Sequence, residues 1–345
     1  MSEPISEHGE FGLIERIEKI LGAYPRPKQL LTDLGDDCAV WKIDDTRAFC
    51  ATVDMLVEDV HFRCNRSSAY QIGKRAMSVN LSDLAAMGAK PLFALVSLGL
   101  PPTVATAWFD DCITGMRDRL HEFHGAIIGG NLSSTPDKIV IDVTLVGETT
   151  IAKTLTRSGA KVGDRIFVTG DIGSSAAGLQ LLENSRTDTL VCPPILQKHL
   201  DPTPRIHFGY MLAETGIASA CIDISDGLAA DLHHLCERSN CGARIDCTQI
   251  PVSPDLPEAL RIINENRQER IIEWNDVVLY GGEDYELLFT VKPEASLLDL
   301  AHIARAAKTP VNEIGIILPW EDRVTMYDTS GNHLPLRAHG WNHYW

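Results

Sequence analysis

The sequence predicts an α+β, or mixed α/β, protein of two domains, and three observations carry that prediction. The chain has 345 residues, 44% hydrophobic and 23% charged, which is enough for two cores and too apolar for disorder. Strand-like and helix-like segments mix without a regular βαβ beat, which argues against a doubly wound sheet. After Glu148 the pattern of turn, strand and helix starts again, placing a boundary near 150 between domains 1–150 and 151–345.

Along the first domain, Phe11, Leu13, Ile14, Ile17, Ile20 and Leu21 recur at helical spacing over 10–22 and stop at Gly22. Strand-like segments then flank turns in an acidic stretch, and Phe49 to Val53 reads as a strand ending in Asp54. "YQIGKRAMSVNLSDLAAMGAKP" (70–91) predicts a long helix ended by Gly88 and Pro91, with Asn80 and Asp83 on one face. "LFALVSLGL" (92–100) is a buried strand, 104–123 a helix, "AIIGGN" (126–131) a strand running into a glycine turn, and "IVIDVTLVGE" (139–148) an alternating strand.

The second domain opens with a turn, a strand, a Gly-rich turn and a helix over 157–182. "ACIDISDGLAADLHHLCE" (220–237) is strand, turn and helix, the helix covering 228–238. "ARIDCTQIPVS" (243–253) and "YELLFTV" (285–291) are strands, and 251–269 is a partly helical insert.

A net charge of -16 argues against nucleic acid or an anionic membrane as partner. The first residues lack a basic segment followed by an apolar one, and no apolar run approaches the ~18 residues of a membrane span. A cytoplasmic location is therefore expected. Nine cysteines with no C-x-x-C pair suit reduced, mostly buried thiols. Cys236, Cys241 and Cys247 beside His233 and His234 leave a metal site open, whereas "HEFHG" (121–125) has the wrong register for a zinc-protease helix.

The chemistry-bearing pattern is acidic. Residues 31–62 hold Asp33, Asp36, Asp37, Asp44, Asp45, Asp54, Glu58 and Asp59; further along come Asp83 on a helix and Asp223 and Asp226 bracketing Ser225 in "DISDG". Taken singly, each reads first as an ion-pair partner or, for Asp226, a helix cap. Together they read differently, because two carboxylates 4 Å apart repel by about 4 kcal/mol at an effective dielectric near 20. A convergent set therefore calls for divalent cations, and oxygen-only ligands suit Mg²⁺ or Ca²⁺. Mg²⁺ in turn calls for a phosphate ligand. No P-loop or G-x-G-x-x-G motif is present, so the glycine turns in "IGGN" (128–131), "TRSGAK" (156–161) and "YGGEDYEL" (280–287) are the candidate anion sites, with Arg157 and Lys161 as cations.

"GEF", "GDDCAV", "VDMLVEDVHF", "KRAMSVNLSDLAAMGAKP", "IGGN", "LTRSGAKVGD", "IDISDGL" and "GGEDYELLFTV", in this order, resemble thiamine-monophosphate kinases, part of the wider aminoimidazole ribonucleotide synthetase-like superfamily. The resemblance implies an ATP-dependent enzyme using several Mg²⁺ ions to make thiamine diphosphate from thiamine monophosphate. It implies a homodimer joined through the N-terminal sheet, with the C-terminal domain closing the cleft. Implied metal ligands are Asp37, Thr52, the Val53 carbonyl, Asp54, Asp83, Asp223, Asp226 and Asn131; implied ATP contacts are Gly130, Asn131, Arg157 and Ser225.

His61, Glu283 and Trp341 match positions that contact the thiamine phosphate, although His61 reads equally as a structural imidazole and Trp341 as a packed aromatic plug. Asn131 stands where the family usually shows Asp, and Val53 where Thr is common. No catalytic general base is expected, because a phosphate monoester with a second pKa near 6 is already largely the dianion at neutral pH. Arg157 would stabilise the transferring group during direct in-line transfer. Two alternatives stand beside this reading: a superfamily synthetase with another substrate, and a catalytically silent thiamine-phosphate or nucleotide binder.

Overall fold

The structure, a computed structural model, describes residues 9–22, 25–184, 192–265, 267 and 270–341. Helix α1 (Gly9–Leu21) leads into strands β1 (Leu30–Thr32), β2 (Ala39–Lys42) and β3 (Arg47–Val57). Helix α2 (Ala69–Ala86), β4 (Lys90–Leu100), α3 (Thr106–His121), β5 (Ala126–Ser134) and β6 (Val140–Thr150) follow. These strands form one mixed sheet in the order β1-β2-β3-β6-β4-β5.

The second half starts with β7 (Arg165–Thr169), α4 (Ser174–Asn184), α5 (Pro193–Leu200), α6 (Ile206–Thr215) and β8 (Ala218–Asp223). It continues through α7 (Leu228–Ser239), β9 (Gly242–Asp246), α8 (Leu256–Asn264), α9 (Trp274–Val278) and β10 (Leu287–Val291). The last elements are α10 (Leu297–Ala306), β11 (Val311–Leu318), β12 (Val324–Tyr327) and β13 (His333–Pro335). Its sheet runs β13-β12-β9-β11-β7-β10-β8. Both halves mix helices with a sheet, as the sequence pattern predicts.

Strand alternation decides which residues of the first sheet meet α2. β3 pairs with β6 along its full length, Thr52 opposite Leu145 and Asp54 opposite Val143. Leu145 and Val143 are buried, so Thr52 and Asp54 share the covered face, while Val53 and Met55 lie on the open one. Helix α2 starts at a reciprocal cap, in which the Ser68 hydroxyl accepts from the Gln71 amide and the Gln71 side chain accepts from Ser68. Its other side packs on α6 and β8, so that one apolar cluster joins Met77, Leu81 and Leu84 to Phe208, Leu212 and Phe289. Burial on two sides explains why polar Ser78, Asn80 and Ser82 are all enclosed. A second cluster fills the space between the second sheet and helices α4, α7 and α8.

Several expectations need correction. Asp54 sits in mid-strand, because β3 continues to Val57. The glycines at 129 and 130 make no turn: β5 shifts register at Ile128 and then continues through them to Ser134, with Gly130 at φ +156° pressed against the Val96 carbonyl. The strand expected over 243–253 ends at Asp246. All nine cysteines are free thiols, and only Cys64 is exposed. Among the described residues no helix is long and apolar enough to cross a membrane.

Candidate active site

Helix α2 carries the centre of the site because consecutive helical residues point about 100° apart. Asp83 turns toward the first sheet, where it accepts a hydrogen bond from the Thr52 hydroxyl. Ser82, one residue earlier, turns toward the second half and donates to Asp223 Oδ2 at 2.6 Å. Asp37 comes from the turn between β1 and β2. Carboxylate oxygens of Asp37, Asp83 and Asp223 lie within 4.8 Å of one another, the one group of metal-binding geometry among the described residues. The Cys236, Cys241 and Cys247 thiols form no such group.

These acids are short of compensation. Burial pushes the Asp223 carboxyl up to about 8, helped by repulsion from Asp37. Burial, then Asp54 and Asp223, raise Asp83 well above the usual carboxylate range. Asp54 rises to about 6, again chiefly through burial. Asp37 Oδ2 is buried with no hydrogen-bond partner. Three oxygen donors, mutual repulsion and an orphaned acceptor are what a hard divalent cation would relieve, so the residues fit Mg²⁺.

Arg157 is the cation already present. Its Nε donates to Asp37 Oδ1 at 3.1 Å, and its amide donates to Asp36 Oδ1 at 3.2 Å. Asp36, next to Asp37 in the chain, is itself lifted to about 6 by burial and by Asp37. Lys161 is exposed, and the amides of Gly159 and Ala160 are both taken by the Ser239 hydroxyl, so this turn offers them to no anion.

The "DISDG" turn is shaped by a residue the sequence reading missed. Asp231, buried in the first turn of α7, accepts from the amides of Ser225 and Gly227, both at 3.1 Å. Gly227 is the N-cap of α7, so Asp226, which the sequence leaves between helix cap and metal ligand, precedes the cap position. Opposite this turn lies "GGEDYEL". Its Gly282 leaves no room for a Cβ beside the Ser225 carbonyl, so the glycine permits close packing of chain on chain. The Glu283 amide donates to that carbonyl at 2.7 Å.

Glu283 is paired with the buried guanidinium of Arg75, two helical turns before Ser82 on α2, and its other oxygen is 3.6 Å from His199 Nδ1. Although burial opposes ionisation, Arg75 and His199 hold Glu283 below its ordinary range, and His61 adds to this. His61 accepts from the Val57 amide at Nδ1, 3.0 Å, which puts the proton of the neutral ring on Nε2. The Trp341 amide donates to the Asp226 carbonyl at 3.0 Å while half of the residue stays exposed, 50%. That exposure argues against a plug.

The remaining predicted residues stand apart. Val53 points its side chain to the open face, and the β2–β3 ladder stops at Ala51, before its main chain. Gly130 and Asn131 lie on exposed β5. Register sets Asn131 beside Ser97, which pairs with Asp142 and through it with Met55, on the face opposite Thr52 and Asp54. Asn131 therefore does not join the three carboxylates within this chain.

Two sheet-and-helix halves sharing a carboxylate cluster at their junction define the class. Residues 35–149 match the family described as AIR synthase related protein, N-terminal domain, and residues 161–326 match the corresponding C-terminal domain. Curated relatives narrow this further. Thiamine-monophosphate kinase of Bacillus subtilis (strain 168) is 35% identical over 314 residues, covering 90% of this chain and 93% of the relative. That of Escherichia coli (strain K12) is 38% identical over 300 residues, covering 85% and 86%. A solved structure described as "AaThiL complexed with AMPPCP and TMP" superposes with TM-score 0.81 at 33% identity, over 99% of both chains. The chain belongs to the thiamine-monophosphate kinase family.

Proposed function

We propose that the protein transfers the γ-phosphoryl group of ATP to the phosphate of thiamine monophosphate, giving thiamine diphosphate and ADP. The family membership and the similar structure described with a nucleotide analogue and TMP support this reading. The observation that carries it to this chain is the meeting of Asp37, Asp83 and Asp223 from both halves.

Asp37, Asp83 and Asp223 would hold Mg²⁺, with Thr52, Asp54 and Asp226 beside them. Bound there, Mg²⁺ supplies neutralisation of the polyphosphate charge. The barrier lies in bringing two anions together. Arg157, whose Nε and one terminal nitrogen already bind Asp37, would turn its remaining donors to the transferring group. His61 Nε2–H and the Trp341 ring orient the thiamine phosphate, Glu283 fixes Arg75 beneath it, and the flanking halves exclude water. The phosphorus–oxygen bond to ADP breaks as the one to the acceptor oxygen forms. The acceptor is already a dianion, so no side chain has to take a proton.

Exposed Val53, Met55, Phe93 and Leu95 leave an apolar strip on the open face of the first sheet, which supports a homodimer formed through that face. Gly130 and Asn131 lie along it, so their contribution to nucleotide binding would fall at the seam between copies. We place the enzyme in the cytoplasm. The deciding experiment supplies ATP, thiamine monophosphate and Mg²⁺ and identifies the product. Thiamine diphosphate formed with ADP, and abolished by EDTA, supports the proposal; tight binding of both ligands without turnover would make the protein a silent binder instead.

A further inference from the structure

Helix α7 touches the site at both ends. Its first turn carries Asp231, which shapes the Asp223–Asp226 turn. Its last turn, about 12 Å beyond Asp231 at roughly 1.5 Å per residue, reaches the two loops that deliver Arg157 and Asp37. There the Ser239 hydroxyl makes three hydrogen bonds. It donates to the Arg157 carbonyl at 3.0 Å and accepts from the amides of Gly159 and Ala160, each at 3.1 Å. Beside it, the Arg238 guanidinium lies against Gly35, where any Cβ would collide with it, and pairs with Glu18 at 3.7 Å. Gly35 begins the turn that carries Asp36 and Asp37.

A serine at the end of a helix ordinarily hydrogen-bonds within its own helix or to water. Ser239 uses both roles of its hydroxyl on a segment about eighty residues away in the chain, which is also held by the Thr156 hydroxyl donating to the Ser158 carbonyl at 2.8 Å and by buried Ala160. The Thr156 carbonyl accepts from Cys221, and the Arg157 amide is held by Asp36. Gly159, at φ +121°, is pressed close to the Ser219 carbonyl. Removing the hydroxyl would free two amides and one carbonyl next to the arginine that faces the carboxylate cluster.

We infer that Ser239 is a positioning residue for phosphoryl transfer, holding the main chain of residues 157–160 so that the Arg157 guanidinium is aimed at the carboxylate cluster. This rests on the kinase reading above. The assay uses the full chain with ATP, thiamine monophosphate and Mg²⁺, and compares wild type, Ser239→Ala, Ser239→Thr, Arg157→Ala and the Ser239→Ala/Arg157→Ala pair. Ser239→Ala should lower kcat by roughly tenfold while KM for thiamine monophosphate stays within about twofold, since misaimed transition-state groups cost turnover more than binding. Ser239→Thr, which keeps a hydroxyl, should recover most of the lost kcat. In the Arg157→Ala background the serine change should cost less than about twofold, because the group it aims is gone.

Wild-type kcat for Ser239→Ala, no recovery with Thr, or the same fold-loss with and without Arg157 would each overturn the inference. The readings are separable: wild type making no thiamine diphosphate sinks the kinase assignment, whereas an active wild type with uncoupled variants sinks only the role of Ser239.

Discussion

Asp37, Asp83 and Asp223, gathered from both halves, and Glu283, Asp284 and Glu286, consecutive or nearly so in the segment before β10, are two sets of three largely buried acids, and they are treated in opposite ways. In the second set every member meets donors. Glu283 takes Arg75; Asp284 accepts from the amides of Gly173 and Ser175 at the start of α4, at 2.7 and 3.1 Å. Glu286 takes Lys198, Arg205 and the Thr169 hydroxyl. The first set has one arginine, two hydroxyls and an orphaned oxygen for three mutually repelling carboxylates. A buried acid provided with partners holds structure, whereas buried acids left facing one another repel unless a cation comes between them.

Breaking each set should give a different loss. Asp83→Asn should lower turnover by roughly 10³-fold, the scale of removing one preorganised charge-stabilising element. Its thermal midpoint should stay level or rise, because repulsion is relieved. Near-normal activity would take Asp83 out of the site and dissolve the contrast. Glu286→Ala should do the reverse and cost about 3 kcal/mol in urea denaturation, since Lys198 and Arg205 lose a buried partner. Unchanged stability with lost activity would move Glu286 into the catalytic set.

A third test uses pH. The Asp223 carboxyl, raised to about 8, and Asp54, raised to about 6, keep their protons in the fold after the unfolded chain has ionised. The unfolded state then binds fewer protons, so metal-free stability should fall as pH climbs from about 4 through about 8. Asp284, lifted to about 7 by burial, adds to the same slope. Mg²⁺ separates the sets: at a hundredfold excess over its Kd it should add about 2.7 kcal/mol at pH 8. It should remove the share of the slope owed to Asp223 and leave that of Asp284. A denaturation series with and without Mg²⁺ that shows parallel slopes would refute the distinction. The smallest effect expected is from Trp341→Ala, which should raise KM for thiamine monophosphate about fivefold, the worth of one aromatic contact near 1 kcal/mol, and leave KM for ATP alone. Equal shifts in both would return Trp341 to packing.

Much of this was readable in the chain. The apolar spacing of 70–91 and the alternation of 139–148 placed α2 and β6, the two elements against which the site is built, and the acidic pattern included all three carboxylates that meet. What stayed hidden depended on tertiary direction. Ser82 and Arg75 look like ordinary helix residues until β8 and the "GGEDYEL" segment are seen on their side of α2. Asp231 is one more acid in a helix until its backward hydrogen bonds appear, and its place four residues after Gly227 was the available signal. The glycines of "IGGN" suggested a turn because a strand edge that needs φ +156° has the same composition as a bend. α5 and α6 escape a reading by periodicity because each is short, ten residues or fewer, although Pro193 and Pro194 open the first and Gly216, at φ +66°, closes the second.

Adjacent residues of α2 answer to different halves of the molecule, Asp83 to Thr52 and Ser82 to Asp223. The same helix is bound into one apolar cluster with Phe208, Leu212 and Phe289, so the spacing of the three carboxylates is inherited from the packed core that joins the halves.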